Sequence, residues 1–160
     1  MKIAALVILY NYQDGSIENI KSYSNDVDIV YVYDNSVKKD TYLENKLKDT
    51  IKNIYFIDGH GNQGLSHAIN VVAKKAIKRG FQWLITFDQD SIAYSNMIAQ
   101  MKQFIETYPE IHKIGIVSPS IKINFINFRE VKNPISFHDW VIQSGALHNL
   151  EAYVKVKGYD

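Results

Sequence analysis

Two aspartates, Asp88 and Asp90, follow an apolar segment of the sequence in the stretch FDQDS. In an extended chain, residues i and i+2 point to the same side, so the two carboxylates would face one space. Carboxylates held close together repel each other, and a divalent cation relieves that repulsion. Mg²⁺ and Mn²⁺ prefer oxygen ligands, and Mg²⁺ sites often combine one or two carboxylates with water and phosphate oxygens. The pair predicts a Mg²⁺ or Mn²⁺ site that holds a diphosphate; the alternative is that Asp90 or Ser91 caps the following helix.

A glycine pattern, Gly59-x-Gly61-x-x-Gly64, is a second candidate site. It has the form of the dinucleotide-binding fingerprint, whose glycines permit a tight turn and a close approach of the backbone to a pyrophosphate. Asp88, 24 residues after Gly64, would then be the ribose-binding acid of an NAD(P)-dependent oxidoreductase. Against this hypothesis, the glycines follow the third predicted strand instead of the first. A ribose site also does not require Asp90.

Polar side chains also follow the first two predicted strands. Tyr10 and Asn11 end the first strand, and Asp34 ends the second within the stretch DNS. A carboxylate at position 34 could accept the imide N–H of uracil or thymine, and the ring of Tyr10 could stack on the base. The structural alternatives stay open at this point: Asp34 as a turn residue, and Tyr10 as an aromatic at the edge of the core.

The elements that would position these residues can be predicted from residues 1–110. In this part of the sequence, apolar segments typical of strands alternate with amphipathic segments typical of helices. Strands are predicted at KIAALVILY, DIVYVYD, NIYFID, QWLITFD and IGIVSP, with helices between them. The pattern predicts an α/β fold with a mostly parallel sheet covered by helices on both faces. After residue 119, SIKINFINFREVKNP and WVIQSGAL predict a small antiparallel β part. Ligands of such sheets bind outside the carboxyl ends of the strands, so the polar residues are expected at one edge.

The composition of the chain excludes several classes of protein. With 160 residues, of which 46% are hydrophobic, the chain is expected to form one domain over residues 1–160. Its net charge of +1 does not suggest binding to nucleic acid. The absence of cysteine excludes disulfides and thiolate metal sites. The N-terminal apolar run, residues 3–10, is too short to span a bilayer, and a cytoplasmic location is expected.

Five stretches, in order, resemble the family 2 glycosyltransferases of the GT-A fold: VILYN, VYDNS, GNQGLSHAIN, GFQWLITFDQDS and QSGALHNLEAYVKVKGYD. DQDS and a late Ser-Gly segment are similar to the bacterial rhamnosyltransferase-like branch. The resemblance implies a GT-A-type, Rossmann-like sheet. It also implies metal-dependent, inverting transfer of a sugar, with rhamnose as one candidate, from a nucleoside diphosphate to an acceptor hydroxyl. The implied setting is bacterial surface polysaccharide synthesis.

The resemblance also implies roles for individual residues. It places the nucleotide, the donor sugar and the metal against nine residues: Tyr10, Asn11, Asp34, Gly61, Asn62, Gly64, Asp88, Gln89 and Asp90. Ser144 and Gly145 match the segment that faces the donor sugar and the acceptor. Asp90 is implied as the direct metal ligand, with Asp88 beside it. The implied partners are a UDP- or dTDP-linked sugar and a saccharide or lipid-linked acceptor. A lipid-linked acceptor would place the chain peripherally at the inner face of the membrane.

One element of the family pattern has no match in this sequence. The general base of these enzymes is a carboxylate downstream of a Gly-Tyr/Phe-Asp-Glu stretch, and the sequence ends at Gly158-Tyr159-Asp160. Asp139 precedes the Ser-Gly segment and does not match that position. We therefore expect a chain that lacks its acceptor-side elements, with the general base beyond Asp160 and no catalytic residue assigned. A non-catalytic, degenerate transferase subunit is the remaining alternative.

Overall fold

The computed structural model describes residues 1–11, 15–119 and 136–160 as a mixed α/β fold. Strands and helices alternate as far as Thr107, as the apolar periodicity predicts. The elements are β1 (Ile3–Leu9), α1 (Ser16–Ser24), β2 (Ile29–Asp34), α2 (Thr41–Thr50), β3 (Ile54–Asp58), α3 (Leu65–Lys78), β4 (Trp83–Asp88), α4 (Met97–Thr107), a 3₁₀ turn (Ile111–Lys113), β5 (Ile116–Val117), β6 (Leu147–Asn149) and α5 (Leu150–Lys155).

Six strands form one sheet in the order β3-β2-β1-β4-β6-β5. The first four strands of the chain are parallel, whereas β6 runs antiparallel to both β4 and β5. The central strand β1 is an unbroken apolar run, IAALVIL, because both faces of the sheet are covered. The chain moves outward from β1 to β3 and then returns to the other side of β1 as β4. A topological switch point therefore lies between β1 and β4, where ligands of open α/β sheets bind.

Two apolar cores, one on each face of the sheet, hold the helices in place. On one face α1, α2 and α4 contribute fully buried residues, among them Ile20, Leu47 and Ile98. On the other face α3 and α5 contribute Val72 and Leu150. Burial of each such side chain stabilises the fold by roughly 1.5–3 kcal/mol. The packed helices therefore fix the positions of the strands and of the residues at their ends. None of the helices in the described ranges is long and apolar enough to cross a membrane.

The helix that follows β2 begins after a capping aspartate. The side chain of Asp40 accepts a hydrogen bond from the N–H of Leu43 at 3.0 Å, and α2 starts at the next residue, Thr41. A cap of this kind satisfies a backbone donor that the helix leaves open. It also fixes the direction in which the chain leaves Asp34.

The segment that follows β4 does not contain the helix cap considered above. The helix α4 begins at Met97 with Asn96 as its N-cap, so the hypothesis that Asp90 or Ser91 caps it is wrong. Instead, the N–H of Ser91 donates to the carbonyl of Asp88 at 3.1 Å and closes a tight turn. The aspartates of this turn therefore have no capping role.

One strand of the predicted antiparallel part begins later than its sequence pattern indicates. The strand β6 covers Leu147–Asn149, whereas WVIQSGAL predicts a strand from residue 140. A turn interrupts the extended chain, because the N–H of Ala146 donates to the carbonyl of Gln143 at 3.2 Å across Ser144 and Gly145. The period-two pattern of residues 120–134 lies outside the described residues.

Candidate functional site

The parallel strands deliver their polar residues to one edge of the sheet. The ends of β1 and β4 are joined where the N–H of Tyr10 donates to Oε1 of Gln89 at 3.0 Å. The ends of β2 and β3 are joined where the N–H of Gly59 donates to the carbonyl of Asp34 at 2.8 Å. The residues that the sequence predicts after these strands therefore form one continuous surface around the switch point.

Asp34 lines an open pocket of about 450 Å³ beside the ends of β1 and β2. Its Oδ1 accepts a hydrogen bond from the N–H of Ser36 at 2.9 Å, and Oγ of Ser36 accepts one from the N–H of Asn11 at 2.9 Å. Lys38 and Lys39 line the same pocket. The volume lies within the range of small-molecule sites, roughly 300–1,000 Å³. The pocket offers a carboxylate acceptor beside two ammonium donors.

Lys39 also ties the loop after β2 to the end of β3. Its Nζ lies 2.9 Å from Oδ2 of Asp58. The hydrogen bond from Lys39, together with one from the N–H of His60, lowers the pKa of Asp58 below its usual range. Lys39, which lines the pocket, is therefore charge-paired with the end of β3.

Tyr10 lies at the surface and not in the core. Its side chain is 45% exposed, whereas its neighbour Leu9 is buried. This exposure fits an aromatic at the edge of the core as well as an aromatic face that meets a ligand. Such a face can stack on a planar base. Leu9 and Asn11, on either side of Tyr10 in the chain, line the pocket.

Asp88 and Asp90 lie on the turn that ends β4. Although Asp88 is open to solvent on one side, partial burial raises the pKa of its carboxyl, and the negative charge of Asp90 raises it further. The structure thus places two mutually repelling carboxylates together at the edge of the sheet.

The donor set of this pair fits a hard divalent cation. Over the described ranges no group of three or more histidine, aspartate or glutamate side chains converges on a possible metal position. Two carboxylates on their own leave most of a coordination shell to water and to ligand oxygens, which is the arrangement that Mg²⁺ favours. Asp88 and Asp90 are therefore the residues that could hold Mg²⁺ or Mn²⁺ together with a diphosphate.

The Ser-Gly segment lies directly against this turn. Oγ of Ser144 accepts a hydrogen bond from the N–H of Asp88 at 3.1 Å and lies 2.6 Å from Oγ of Ser91. The N–H of Gly145 donates to the carbonyl of Thr86 at 2.7 Å. Positions 88 and 144 are 56 residues apart in the chain, and the fold makes them neighbours. The two stretches predicted to meet the donor sugar and the metal are therefore in contact.

The three glycines of the loop after β3 are required for different reasons. Gly61 and Gly64 have φ angles of 103° and 83°, which residues with side chains rarely adopt, and they shape the loop that leads into α3. At Gly59, a Cβ would lie 2.6 Å from Cε1 of Tyr33 and 2.7 Å from the carbonyl oxygen of Asp34. Gly59 is therefore required by its own neighbours in the fold, without reference to a pyrophosphate.

Replacing Gly59 by alanine is expected to lower the free energy of unfolding by about 1.5 kcal/mol, because overpacking of this kind forces backbone or ring shifts. Urea denaturation measures the change. Gly115→Ala is the matched control, since its Cβ would meet nothing closer than Ala152 Cβ at 4.0 Å. Equal stability of the Gly59 variant and the wild type would contradict the packing argument.

Asn35 also belongs to this site, although the sequence predicted no role for its side chain. Its buried side chain accepts a hydrogen bond at Oδ1 from the N–H of Gln63 at 2.9 Å. Its Nδ2 donates to Oδ1 of Asn62 at 3.3 Å and to the carbonyl of Gly64 at 3.4 Å. Asn35 therefore holds the glycine loop against the end of β2. The only sequence signal for it is its place directly after Asp34.

We expect Asn35→Ala to lower the free energy of unfolding by about 1 kcal/mol, the net value of a typical internal hydrogen bond. Asn35→Asp keeps the acceptor for Gln63. It turns a carboxylate oxygen toward Oδ1 of Asn62 and the carbonyl of Gly64, however, so its loss should be at least as large. Chemical denaturation monitored by circular dichroism provides the comparison. Asn45→Ala, on the exposed side of α2, should cause no loss, and a similar loss there would show that the effect is not specific to the loop.

The Gly158–Tyr159 segment is anchored to α3. Oδ1 of Asn70 accepts hydrogen bonds from the hydroxyl of Tyr153 and from the N–H of Tyr159, while its Nδ2 donates to the carbonyl of Tyr159 at 2.8 Å. A Cβ at position 158 would lie 2.8 Å from Oδ1 of Asn70. The Gly-Tyr-Asp stretch is thus held by the helix that begins at the glycine loop.

Solved structures share this fold at low sequence identity. The crystal structure of S. aureus TarS 1-349 in complex with UDP-GlcNAc superposes with a TM-score of 0.73 at 16% identity, covering 98% of this chain and 48% of that one. The mannosyltransferase PcManGT from Pyrobaculum calidifontis, in complex with GDP-Man and Mn²⁺, gives 0.68 at 16% identity, covering 99% and 47%. The chain thus spans about half the length of these two proteins.

A shorter protein shares the fold as well. The structure of 4-diphosphocytidyl-2C-methyl-D-erythritol synthase gives a TM-score of 0.59 at 14% identity, covering 99% of this chain and 87% of that one. At these identities the likeness establishes the fold alone. No curated protein sequence matches the chain.

The sequence profile of the family described as Glycosyl transferase family 2 matches residues 5–150. The match extends over β1 to β4 and the Ser-Gly segment, and so includes every residue assigned to the site from Tyr10 to Gly145. It supports the resemblance on which those assignments were based, and it gives no support to an NAD(P)-dependent oxidoreductase. The chain belongs to glycosyl transferase family 2.

Proposed function

We propose that this chain binds a nucleoside diphosphate sugar at the carboxyl edge of its sheet and serves its transfer to an acceptor hydroxyl. The observation that carries the proposal is that the Asp34 pocket and the Asp88–Asp90 pair lie on either side of one switch point. The first suits a base and the second a diphosphate with its cation. Membership of the family supports the proposal, as do the UDP-GlcNAc and GDP-Man complexes of proteins with this fold.

The pocket beside β1 and β2 would hold the nucleotide base. Asp34 would accept the imide N–H of uracil or thymine, and the exposed ring of Tyr10 would stack on the base. Asn11 lines the same pocket. UDP- or dTDP-linked donors are therefore the first candidates. Guanine also presents an N–H beside a carbonyl, so GDP is the informative competitor.

The turn at the end of β4 would hold the diphosphate. Asp90, with Asp88 beside it, would bind Mg²⁺ or Mn²⁺, which when bound neutralises the charge that grows on the leaving diphosphate. Ser144 and Gly145 support the turn from the side that would face the donor sugar. The loop of Gly61, Asn62 and Gly64 would approach the nucleotide with its backbone.

Finer assignments follow the resemblance of DQDS and the late Ser-Gly segment to the rhamnosyltransferase-like branch. On that ground the donor would be a dTDP-linked rhamnose, and the acceptor a saccharide or lipid-linked precursor of a bacterial surface polysaccharide at the inner face of the membrane. We assign nucleotide-sugar binding to residues 1–160.

Isothermal titration of the chain with UDP, dTDP and GDP, each with and without Mn²⁺, tests the proposal. We expect UDP or dTDP to bind, to bind more tightly with Mn²⁺, and to bind more tightly than GDP. NADH fluorescence should not change when the chain is added. The proposal fails if none of the three nucleotides binds with Mn²⁺, or if NADH binds in their place.

A further inference from the structure

We propose that Gln89 is a positioning residue that sets the carboxylate pair relative to the base side of the site, instead of a contact to the nucleotide sugar. The inference rests on the proposed function and deepens it. Gln89 stands between Asp88 and Asp90, the two residues that would hold the cation. The polar atoms of its side chain, however, bond to the backbone of Tyr10, the residue directly after β1.

The carboxamide of Gln89 is bonded to both backbone polar groups of one residue. Its Oε1 accepts the N–H of Tyr10 at 3.0 Å, and its Nε2 donates to the carbonyl of Tyr10 at 3.2 Å. The ladder between β1 and β4 ends at the pair Ile8 and Asp88. Beyond that pair, the side chain takes the place of a strand neighbour and satisfies the groups that the end of β1 would leave open.

The main chain of Gln89 is held from a second direction. Its carbonyl accepts a hydrogen bond from Nδ2 of Asn19 on α1 at 2.9 Å. Ser144 and Ser91 hold the same turn on its far side. Each heteroatom of the Gln89 carboxamide is thus oriented by its bond to Tyr10, so the protein itself fixes the direction of the side chain.

The bonds of Gln89 to Tyr10 would fix the distance between the base side and the diphosphate side of the site. Tyr10 belongs to the base side and the Asp88–Asp90 turn to the diphosphate side, and the Gln89 side chain is the direct bond between them. A nucleoside diphosphate must meet both sides at once. Holding the two at a preset separation removes an ordering cost from binding, and the benefit appears only when base and cation are bound together.

The test uses Gln89→Met, which keeps an unbranched side chain of similar length without a donor or acceptor at its end. Calorimetry measures the dissociation constant of UDP with and without Mn²⁺, and the ratio of the two constants reports the coupling between base side and cation. We expect that ratio to fall about tenfold in Gln89→Met, within the usual range of coupling between sites. The amide of Tyr10 should also exchange its hydrogen faster. Gln103→Met, on the exposed side of α4, is the control and should leave both readouts unchanged.

Each other result counts against the proposal. An equal loss of UDP affinity with and without Mn²⁺, which leaves the ratio unchanged, would mean that Gln89 contacts the nucleotide directly. Unchanged affinities under both conditions would mean that it has no role. If Gln89→Met does not fold, Asn19→Ala removes only the bond to the Gln89 carbonyl, and a fall in the ratio of about threefold is expected. A wild-type chain that binds no nucleoside diphosphate would refute the proposed function itself, a result distinct from a binding wild type with an unchanged variant.

Discussion

Asp90→Ala is expected to weaken Mn²⁺-dependent binding of UDP about a hundredfold, equivalent to about 2.8 kcal/mol. The reason is electrostatic. With Asp90 removed, the turn after β4 retains a single carboxyl group, that of Asp88, to hold the cation. Removing one charged partner from a close pair of opposite charges lowers the binding free energy by a few kcal/mol. The same substitution should lower the pKa of Asp88, since the neighbouring negative charge is gone.

Calorimetry with UDP and Mn²⁺ gives the affinity, and the carbon resonance of the Asp88 carboxyl gives its pKa. Binding of uridine without metal should stay as in the wild type, because the pocket at Asp34 is separate from the turn. Asp49→Ala, on the exposed side of α2, controls for the loss of one negative charge. Retained Mn²⁺-dependent binding in Asp90→Ala would remove this aspartate from the metal assignment.

Acidification is expected to destabilise the fold through His148, a buried residue of β6. Burial lowers the pKa of His148 from 6.5 to about 4. The unfolded chain therefore takes up a proton at this residue at a higher pH than the folded chain does. The contribution of neutral His148 to the free energy of unfolding is therefore fully present above pH 6.5. It is lost as the pH falls from 6.5 toward 4.

The surroundings of the ring show why the neutral form is preferred. The hydroxyl of Thr86 donates to the carbonyl of Gln143 at 2.6 Å, so at the 3.2 Å contact with Nε2 of His148 the ring is the donor. Nδ1 of His148 then accepts from the hydroxyl of Tyr159 at 2.6 Å. Both nitrogens are satisfied with a single ring proton, and a second proton would place a charge in a buried site.

Urea denaturation measures the free energy of unfolding at pH 7 and at pH 5. Because one pKa unit corresponds to about 1.4 kcal/mol, titration of His148 should lower that free energy by about 2 kcal/mol at pH 5. In His148→Gln, which cannot titrate, the difference between the two pH values should shrink by that amount. His112→Gln, at an exposed position, should keep the full difference. If the His148 variant and the wild type lose stability in parallel, another group is responsible.

Much of the fold could be predicted because its signals are local. The apolar runs of β1, β2 and β4 and the periodicity of α3 are properties of short segments, and each element forms where the pattern predicts it. The rule that parallel strands present ligands at their carboxyl ends then brings Tyr10, Asp34 and Asp88 to one edge. The same stretches, taken in order, also carry the resemblance to the family that the profile match supports.

The late part of the sheet could not be predicted in the same way. The alternation in WVIQSGAL is compatible with a strand, but the turn at Ser144 and Gly145 depends on a contact with Thr86, which is distant in the chain. A pattern of period two reports which side chains can share a face. It does not report whether a partner strand is present, and only the tertiary structure supplies that partner.

The sequence by itself determined which residue types reach the site: two aspartates on one turn, an aspartate after β2, and glycines before α3. Only the tertiary structure decided how they are used. It shows that Gly59 is required by Tyr33, that Asn35 holds the glycine loop, and that Gln89 is bonded to Tyr10. The physical reason is that a side chain's partners are set by strand order and burial, which depend on contacts between distant parts of the chain.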